Sequence, residues 1–216
     1  MFEVLIKVLI AYLLGSLMGG LLVGKLRGTD IREQGSHNPG ATNAWRTQGP
    51  IFGIAVFVID IGKGVLAALL LPALPLPGIT SDPQWVPWLP YLCGLAAFFG
   101  HVYPIYFSFR GGKGAATLAG IYACLLPVPA LVGLGAWALT LLITGMVGLS
   151  TMLAAFGIAI ATSTQYANLT APAVVFAALA FVLVVYTHRE NIRRMLAGSE
   201  NQFTKVRISY WLLGRR

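Results

Sequence analysis

Three polar runs in this chain of 216 residues carry the residue types that handle phosphate. The first is Gly35-Ser36-His37-Asn38-Pro39-Gly40-Ala41-Thr42-Asn43-Ala44-Trp45-Arg46. Its hydroxyls and amides donate hydrogen bonds. Its glycines let backbone N–H groups close around an anion, and Arg46 offers a planar fork to phosphate oxygens. An ordinary polar loop between two spans would look much the same, so this run alone divides evenly between the two readings.

The second run is Gly100-His101-Val102-Tyr103-Pro104, then Phe109-Arg110-Gly111-Gly112-Lys113-Gly114-Ala115-Ala116-Thr117. A glycine-rich turn that carries Lys113 into the start of a helix favours negative charge, through free N–H groups and the helix dipole. It is not a P-loop. Phe107 stands where G-x-x-x-x-G-K-[ST] needs its first glycine, and Gly114 follows Lys113. The third run is Tyr186-Thr187-His188-Arg189-Glu190-Asn191-Ile192-Arg193-Arg194, continuing to Glu200. On a helix His188, Asn191 and Arg194 fall close to one face, and histidine is the commonest general base near neutral pH. A hydrogen bond closing a span is the plainer role for His188. Lipid head-group anchoring is the plainer role for the arginines beyond Arg194.

The elements that hold these runs are set by composition. The chain is 57% hydrophobic and only 10% charged, with mean hydropathy +0.76. Soluble domains carry about a quarter charged residues, so long apolar runs here read as transmembrane helices. The first of them, Val4 to Val23, begins beside Glu3 rather than a basic cluster and has no small-residue cleavage site after it, so it reads as a permanent span. The net charge of +8 would suggest nucleic acid on a soluble protein. In a membrane protein it follows from basic cytoplasmic loops, and nucleic acid is not expected as a partner. Cys93 and Cys124 both lie in apolar runs and read as packing residues; they support neither a disulfide framework nor a metal site.

Apolar runs near 2–23, 50–74, 88–108, 114–165 and 171–187 are separated by segments that alternate between basic and non-basic. Lys25, Arg27, Arg32 and Arg46 fill the first segment, Arg110 and Lys113 the third, and the tail is arginine-rich. The segment with Asp82 and the segment around Asn168 have no basic residue. This pattern places the N-terminus outside and the C-terminus inside. Between Lys113 and Asn168 the chain must therefore cross an odd number of times. Breaks at Pro127/Pro129 and at Gly145–Gly148 divide that stretch into three short helices. The expectation is an all-α polytopic membrane protein of about seven transmembrane helices, some short, forming a single domain over 1–216. A single span plus a re-entrant hairpin is the alternative for the long run.

On this topology all three polar runs, and Ser150 with them, fall on the cytoplasmic side. Asp60 and Lys63, three residues apart within a span, read as a mutually neutralising brace beneath the site, although intramembrane charges default to function. His101, also within a span, reads as a buried structural histidine.

These motifs together resemble the bacterial acyl-phosphate:glycerol-3-phosphate acyltransferases: Gly-Ser-x-Asn-x-Gly-Ala-Thr-Asn-x-x-Arg, then Gly-His-x-x-Pro with Phe-Arg-Gly-Gly-Lys-Gly-x-Ala-Thr, then His-Arg-x-Asn-Ile-x-Arg. His37 departs from the family pattern where a glycine is expected, and Arg110 where a lysine is expected. The resemblance implies a seven-span enzyme of the bacterial cytoplasmic (inner) membrane with a cytoplasmic active site. It would transfer a fatty acyl group from acyl phosphate to the 1-hydroxyl of sn-glycerol 3-phosphate. Carried over, His188, Asn191, Ser36 and Lys113 are the candidate catalytic residues. The candidate phosphate-binding residues are Arg46, Lys113, Gly111, Gly112, Asn38, Thr42, Asn43, Ser150 and Arg194. No cofactor and no metal is implied. The expected partners are the two substrates, the lipid bilayer and the soluble enzyme that makes acyl phosphate.

The residues exclude two other chemistries. The His-x-x-x-x-Asp pair of other glycerolipid acyltransferases is absent, since Thr42, Tyr106 and Arg193 stand five places after His37, His101 and His188. Asp30, Asp60 and Asp82 are too scattered for the metal cluster of a CDP-alcohol phosphotransferase. The rival from another class is a transporter of a small organic phosphate, which would need polar lining through the membrane. A lipid-binding scaffold would leave the glycine-rich runs unexplained.

Overall fold

The structure, a computed structural model, describes residues 1–79, 82–166 and 171–212. Arg215, Arg216 and the segment around Asn168 lie outside the described residues. Among the described residues there is no strand. The chain divides into two compact units, Met1–Leu125 and Leu126–Arg216.

The first unit contains α1 (Phe2–Gly15), α2 (Gly19–Leu26), α3 (Ala41–Gln48), α4 (Pro50–Ala73), α5 (Leu89–Val102) and α6 (Ala115–Leu125). The second contains α7 (Pro127–Thr144), α8 (Val147–Tyr166), α9 (Ala171–Thr187), α10 (Arg189–Leu196) and α11 (Ile208–Leu212). Proline begins several of them. Pro50 and Pro127 stand in the first turns of α4 and α7, where no N–H partner is needed. The residue before Pro127 is pushed out of helical conformation, which ends α6. Gly145 closes α7 in the left-handed conformation and donates to the Leu141 carbonyl at 2.7 Å.

Among the described residues, helices α4, α7 and α8 are long and apolar enough to cross a membrane, and the total rises to five if the bent pairs α1–α2 (44°) and α9–α10 (54°) each count once. Helices α5 and α6 have 14 and 11 residues, against the ~20 of a straight span, so the described helices give up to five spans by length and composition where seven were expected. The run 114–165 does break in three, at Leu126 and at Gly145–Met146. Only its first piece is short, however. Helix α7 has 18 residues, because neither proline lies far enough into it to interrupt its ladder, and α8 has 20.

In the first unit α1 crosses α5 with almost no side chain between them. A Cβ on Gly15 would overlap the backbone of Ala97, and one on Gly100 the backbone of Tyr12. Such contact is how helices associate where lipid offers no hydrophobic drive. Ala11, Cys93 and Ala97 fill this interface, so Cys93 packs as expected. Lys7, which the loop-charge pattern leaves unexplained, is buried, pairs with Glu3 at 2.7 Å and donates to the Pro72 carbonyl at 2.7 Å. A smaller core of Ile31, Ala44, Phe52 and Val56 fastens the loop before α3 to α4. In the second unit α8 packs against both α7 and α9, and the tail returns to the Gly145 turn, where the Phe203 N–H reaches the Gly145 carbonyl at 2.8 Å.

Candidate active site

In the first unit the loop preceding α3 is shaped by Asn43. This buried side chain accepts the Ser36 N–H at 2.9 Å and donates to the carbonyls of Ile31 (3.0 Å) and Gln34 (2.9 Å). Its amide is thus occupied by hydrogen bonds within the loop. Ser36, Asn38 and Thr42 are half-buried around it, and Arg46 is exposed one turn further along α3. His37 has φ +58, the conformation in which glycine costs nothing and other residues are strained. That explains why a glycine is expected there. The imidazole Nδ1 lies 2.9 Å from the Arg32 carbonyl, so it carries the hydrogen.

Arg32 in turn grips Asp30 with Nε and Nη2, the shortest contact being 2.6 Å. That guanidinium holds the Asp30 carboxyl below the usual carboxylate range. An open groove of about 860 Å³ runs beside this loop, lined among others by Asp30, Arg32, His37, Tyr106, Arg110 and Gly111. Both departures from the family pattern, His37 and Arg110, therefore line one groove.

The second run lies flat on the end of α5. A Cβ on Gly111 would overlap the His101 carbonyl, one on Gly112 the imidazole Nε2 of His101, and one on Gly114 the ring of Phe98. The glycines are required because the loop lies against α5, and Gly114 also needs its φ of +78. Lys113 is carried between them, half-buried, immediately before the first turn of α6. Beneath the loop, Asp60 Oδ1 meets Lys63 Nζ at 3.0 Å, the Gly19 N–H at 3.2 Å and His101 Nδ1 at 3.5 Å. Lys63 also donates to the Leu17 carbonyl at 3.0 Å. The Asp60–Lys63 pair is a brace, as its spacing suggests, and His101 is buried within it.

In the second unit His188 caps α10 at its bend from α9. Its Nδ1 lies 2.8 Å from the Val184 carbonyl. A carbonyl can only accept, so Nδ1 carries the hydrogen and Nε2 the lone pair. Asn191 and Arg194 are joined by a residue that spacing alone did not single out. Glu200 accepts from Asn191 Nδ2 at 2.6 Å and from Arg194 Nε at 2.8 Å. Gly198, at φ +68, turns the chain back so that Ser199 bonds the Arg194 carbonyl at 2.8 Å. A glycine just beyond a helix, followed by an acid, was the signal for Glu200. Gly148 opposite has no room for a Cβ, which would stand 2.6 Å from Asn191 Nδ2. Ser150 is buried in the first turn of α8 with its hydroxyl on the Met146 carbonyl at 2.8 Å, so its hydrogen already has an acceptor. No cluster of three metal-ligating side chains occurs among the described residues.

A family model described as glycerol-3-phosphate acyltransferase matches residues 5–198. The chain belongs to the glycerol-3-phosphate acyltransferase family. A relative of that name from Salinibacter ruber is 38% identical over 202 residues, covering 88% of this chain and 87% of the relative. Glycerol-3-phosphate acyltransferase 2 of Bacillus anthracis is 41% identical over 80% of this chain and 84% of its own. Among solved structures, PlsY (YgiH), an integral membrane glycerol 3-phosphate acyltransferase, matches in its glycerol 3-phosphate form with TM-score 0.81 and 34% identity, over 97% of this chain and 98% of that one. Its lysophosphatidic acid form matches with TM-score 0.79 and 35% identity, over 93% and 95%. This chain is thus an all-helical integral membrane acyltransferase, and the transporter reading falls away.

Proposed function

We propose that the chain transfers a fatty acyl group from acyl phosphate to the 1-hydroxyl of sn-glycerol 3-phosphate, giving lysophosphatidic acid and inorganic phosphate for phospholipid synthesis. The observation that carries this is the likeness along nearly the whole chain, at 34% identity, to an acyltransferase solved in its glycerol 3-phosphate form. The family match runs without interruption through both units, which supports reading 1–216 as one acyltransferase domain.

Both substrates carry phosphate, so the chemistry needs two cationic, donor-rich cradles. By residue type, Arg46, Lys113 and Arg194 supply the charge. Ser36, Asn38, Thr42 and the backbone at Gly111 and Gly112 supply donors. Acyl phosphate is already activated, so the glycerol hydroxyl attacks its carbonyl carbon directly. The carbon–oxygen bond to phosphate breaks, and phosphate leaves with its electron pair. The hydroxyl proton passes to His188 Nε2 or to the departing phosphate. Cationic donors stabilise the carbonyl oxyanion and the leaving phosphate, and such stabilisation usually contributes more to the rate than any other single effect. Asn191, its amide held by Glu200, lies one turn along α10 from that base. Asn43 shapes the first cradle, and buried Ser150 positions the start of α8.

The bacterial relatives support a cytoplasmic (inner) membrane location, and the alternation of basic segments supports an orientation with the N-terminus outside and the C-terminus and active site cytoplasmic. There the soluble enzyme that makes acyl phosphate would supply the donor. The donor is tested by giving purified protein glycerol 3-phosphate with acyl phosphate, acyl-CoA or acyl-carrier protein in turn. Lysophosphatidic acid from acyl phosphate alone is expected; product from a thioester only would overturn the reading.

A further inference from the structure

The polar network beneath the glycine-rich loop holds one group that neutralising Lys63 does not explain. A carboxylate that served only Lys63 would need no histidine beside it. Yet His101, buried at 2% exposure, sits with Nδ1 3.5 Å from Asp60 and 3.3 Å from the Thr117 hydroxyl. The other oxygen of Asp60, Oδ2, is buried without a hydrogen-bond partner among the described residues. An unsatisfied carboxylate oxygen at membrane depth is a costly arrangement.

What this network touches is the loop. The His101 carbonyl accepts the Gly112 N–H at 3.0 Å, and the imidazole Nε2 edge occupies the space a Cβ on Gly112 would need. Thr117, on the far side of the ring, belongs to the first turns of α6, the helix that the loop opens. His101 therefore contacts the segment carrying Lys113 through its backbone, its ring edge and the helix that follows. Asp60 and Thr117 orient the ring in turn: Nδ1 faces Asp60 Oδ1 at 3.5 Å and the Thr117 hydroxyl at 3.3 Å, and a flipped ring would lose both contacts.

We infer that His101 is a positioning residue for the acyl transfer: anchored by Asp60 and Thr117, it sets the shape of the Gly111–Gly114 loop and so the place of Lys113. It does not touch substrate, and its effect passes through the loop. The inference rests on the proposed reading that this loop receives a substrate phosphate.

The test is steady-state kinetics of purified His101→Ala, His101→Asn and His101→Gln with glycerol 3-phosphate and acyl phosphate, alongside thermal unfolding. Asn can place a donor near Nδ1 and keep the Asp60 contact, whereas Gln reaches the Nε2 position against Gly112. In His101→Ala we expect the KM of one phosphate substrate to rise roughly tenfold to a hundredfold, as for a misplaced cationic contact, with kcat changed far less. His101→Asn or His101→Gln should recover part of that loss. A second arm adds Gly112→Ala, whose Cβ meets the imidazole in the parent but an emptied space in His101→Ala. The double variant should therefore lose less than the product of the two single losses. Unchanged KM values in His101→Ala, strictly multiplicative losses, or kcat and KM failing together with the fold in all three variants would overturn the inference. Absence of turnover by the parent protein would instead overturn the proposed function, so the two failures are distinguishable.

Discussion

The side-chain oxygen of Asn43 accepts the backbone N–H of Ser36 at 2.9 Å, seven residues back along the chain. Together with its two donations to Ile31 and Gln34, this makes one amide the internal frame of the loop before α3. Asn43→Ala should leave three backbone groups without that partner, at about 1–3 kcal/mol for each that stays buried. A lower midpoint of thermal unfolding in detergent, with activity falling in parallel, is expected. Asn43→Asp should rescue little, because a carboxylate keeps the contact to Ser36 but faces two carbonyls it cannot donate to. Wild-type stability in Asn43→Ala would show that the loop is held elsewhere.

The backbone at His37 allows a sharper comparison. At φ +58 a side chain costs about 1 kcal/mol relative to glycine, partly offset here by the bond from Nδ1 to Arg32. Alanine keeps the strain and loses the bond, whereas glycine loses the bond and relieves the strain. His37→Ala should therefore unfold at a lower temperature than both the parent and His37→Gly. The reverse order of the two variants would contradict the left-handed geometry.

Asp30 and Arg32 give a dependence on pH whose sign is fixed. The Asp30 carboxyl titrates below its ordinary range because Arg32 hydrogen-bonds its charged form. A depressed acid contributes stability above its unfolded-state value and loses it as pH falls through the folded-state value. The pair is partly exposed, so Arg32→Gln should cost under about 1 kcal/mol at neutral pH. Unfolding curves of parent and variant should converge only in strongly acidic solution, and added salt should narrow their gap at neutral pH. A gap that widens with acid would refute the pairing.

Glu200 is buried and holds Asn191 and Arg194 at once. Glu200→Gln keeps the volume but removes the charge. It also offers one accepting oxygen where two donors now meet carboxylate oxygens, so Asn191 or Arg194 must lose its contact. The expected cost is about 1–3 kcal/mol together with reduced turnover, measured by unfolding and by lysophosphatidic acid formation. Turnover and stability both at parental levels would show that the amide and guanidinium are placed without it.

Much of this was legible in the sequence. The glycine-rich run around Lys113, the break at Gly145 and the Asp60–Lys63 spacing each follow from local rules: glycine where a side chain cannot fit, left-handed closure of a helix, a charge and its partner one turn apart. What local rules cannot give is which atoms a polar side chain already occupies. Asn43 and Ser150 look like ligand donors by type, yet the first is bonded within its loop and the second to the Met146 carbonyl. Glu200 was not singled out because its role depends on the chain doubling back at Gly198. The length of α7 was underestimated because Pro127 and Pro129 mark the break before it yet stand in its own first turn, where the ladder has not begun.

The central claim is that the glycerol hydroxyl attacks the acyl carbonyl and that phosphate leaves. Its most direct test gives the purified protein acyl phosphate and glycerol 3-phosphate labelled with heavy oxygen at the 1-hydroxyl, and follows both products by mass spectrometry. The account predicts lysophosphatidic acid and phosphate in equal amounts, with all the label in the ester and none in the released phosphate. Label in the phosphate, or phosphate released from folded protein without lysophosphatidic acid, would contradict it.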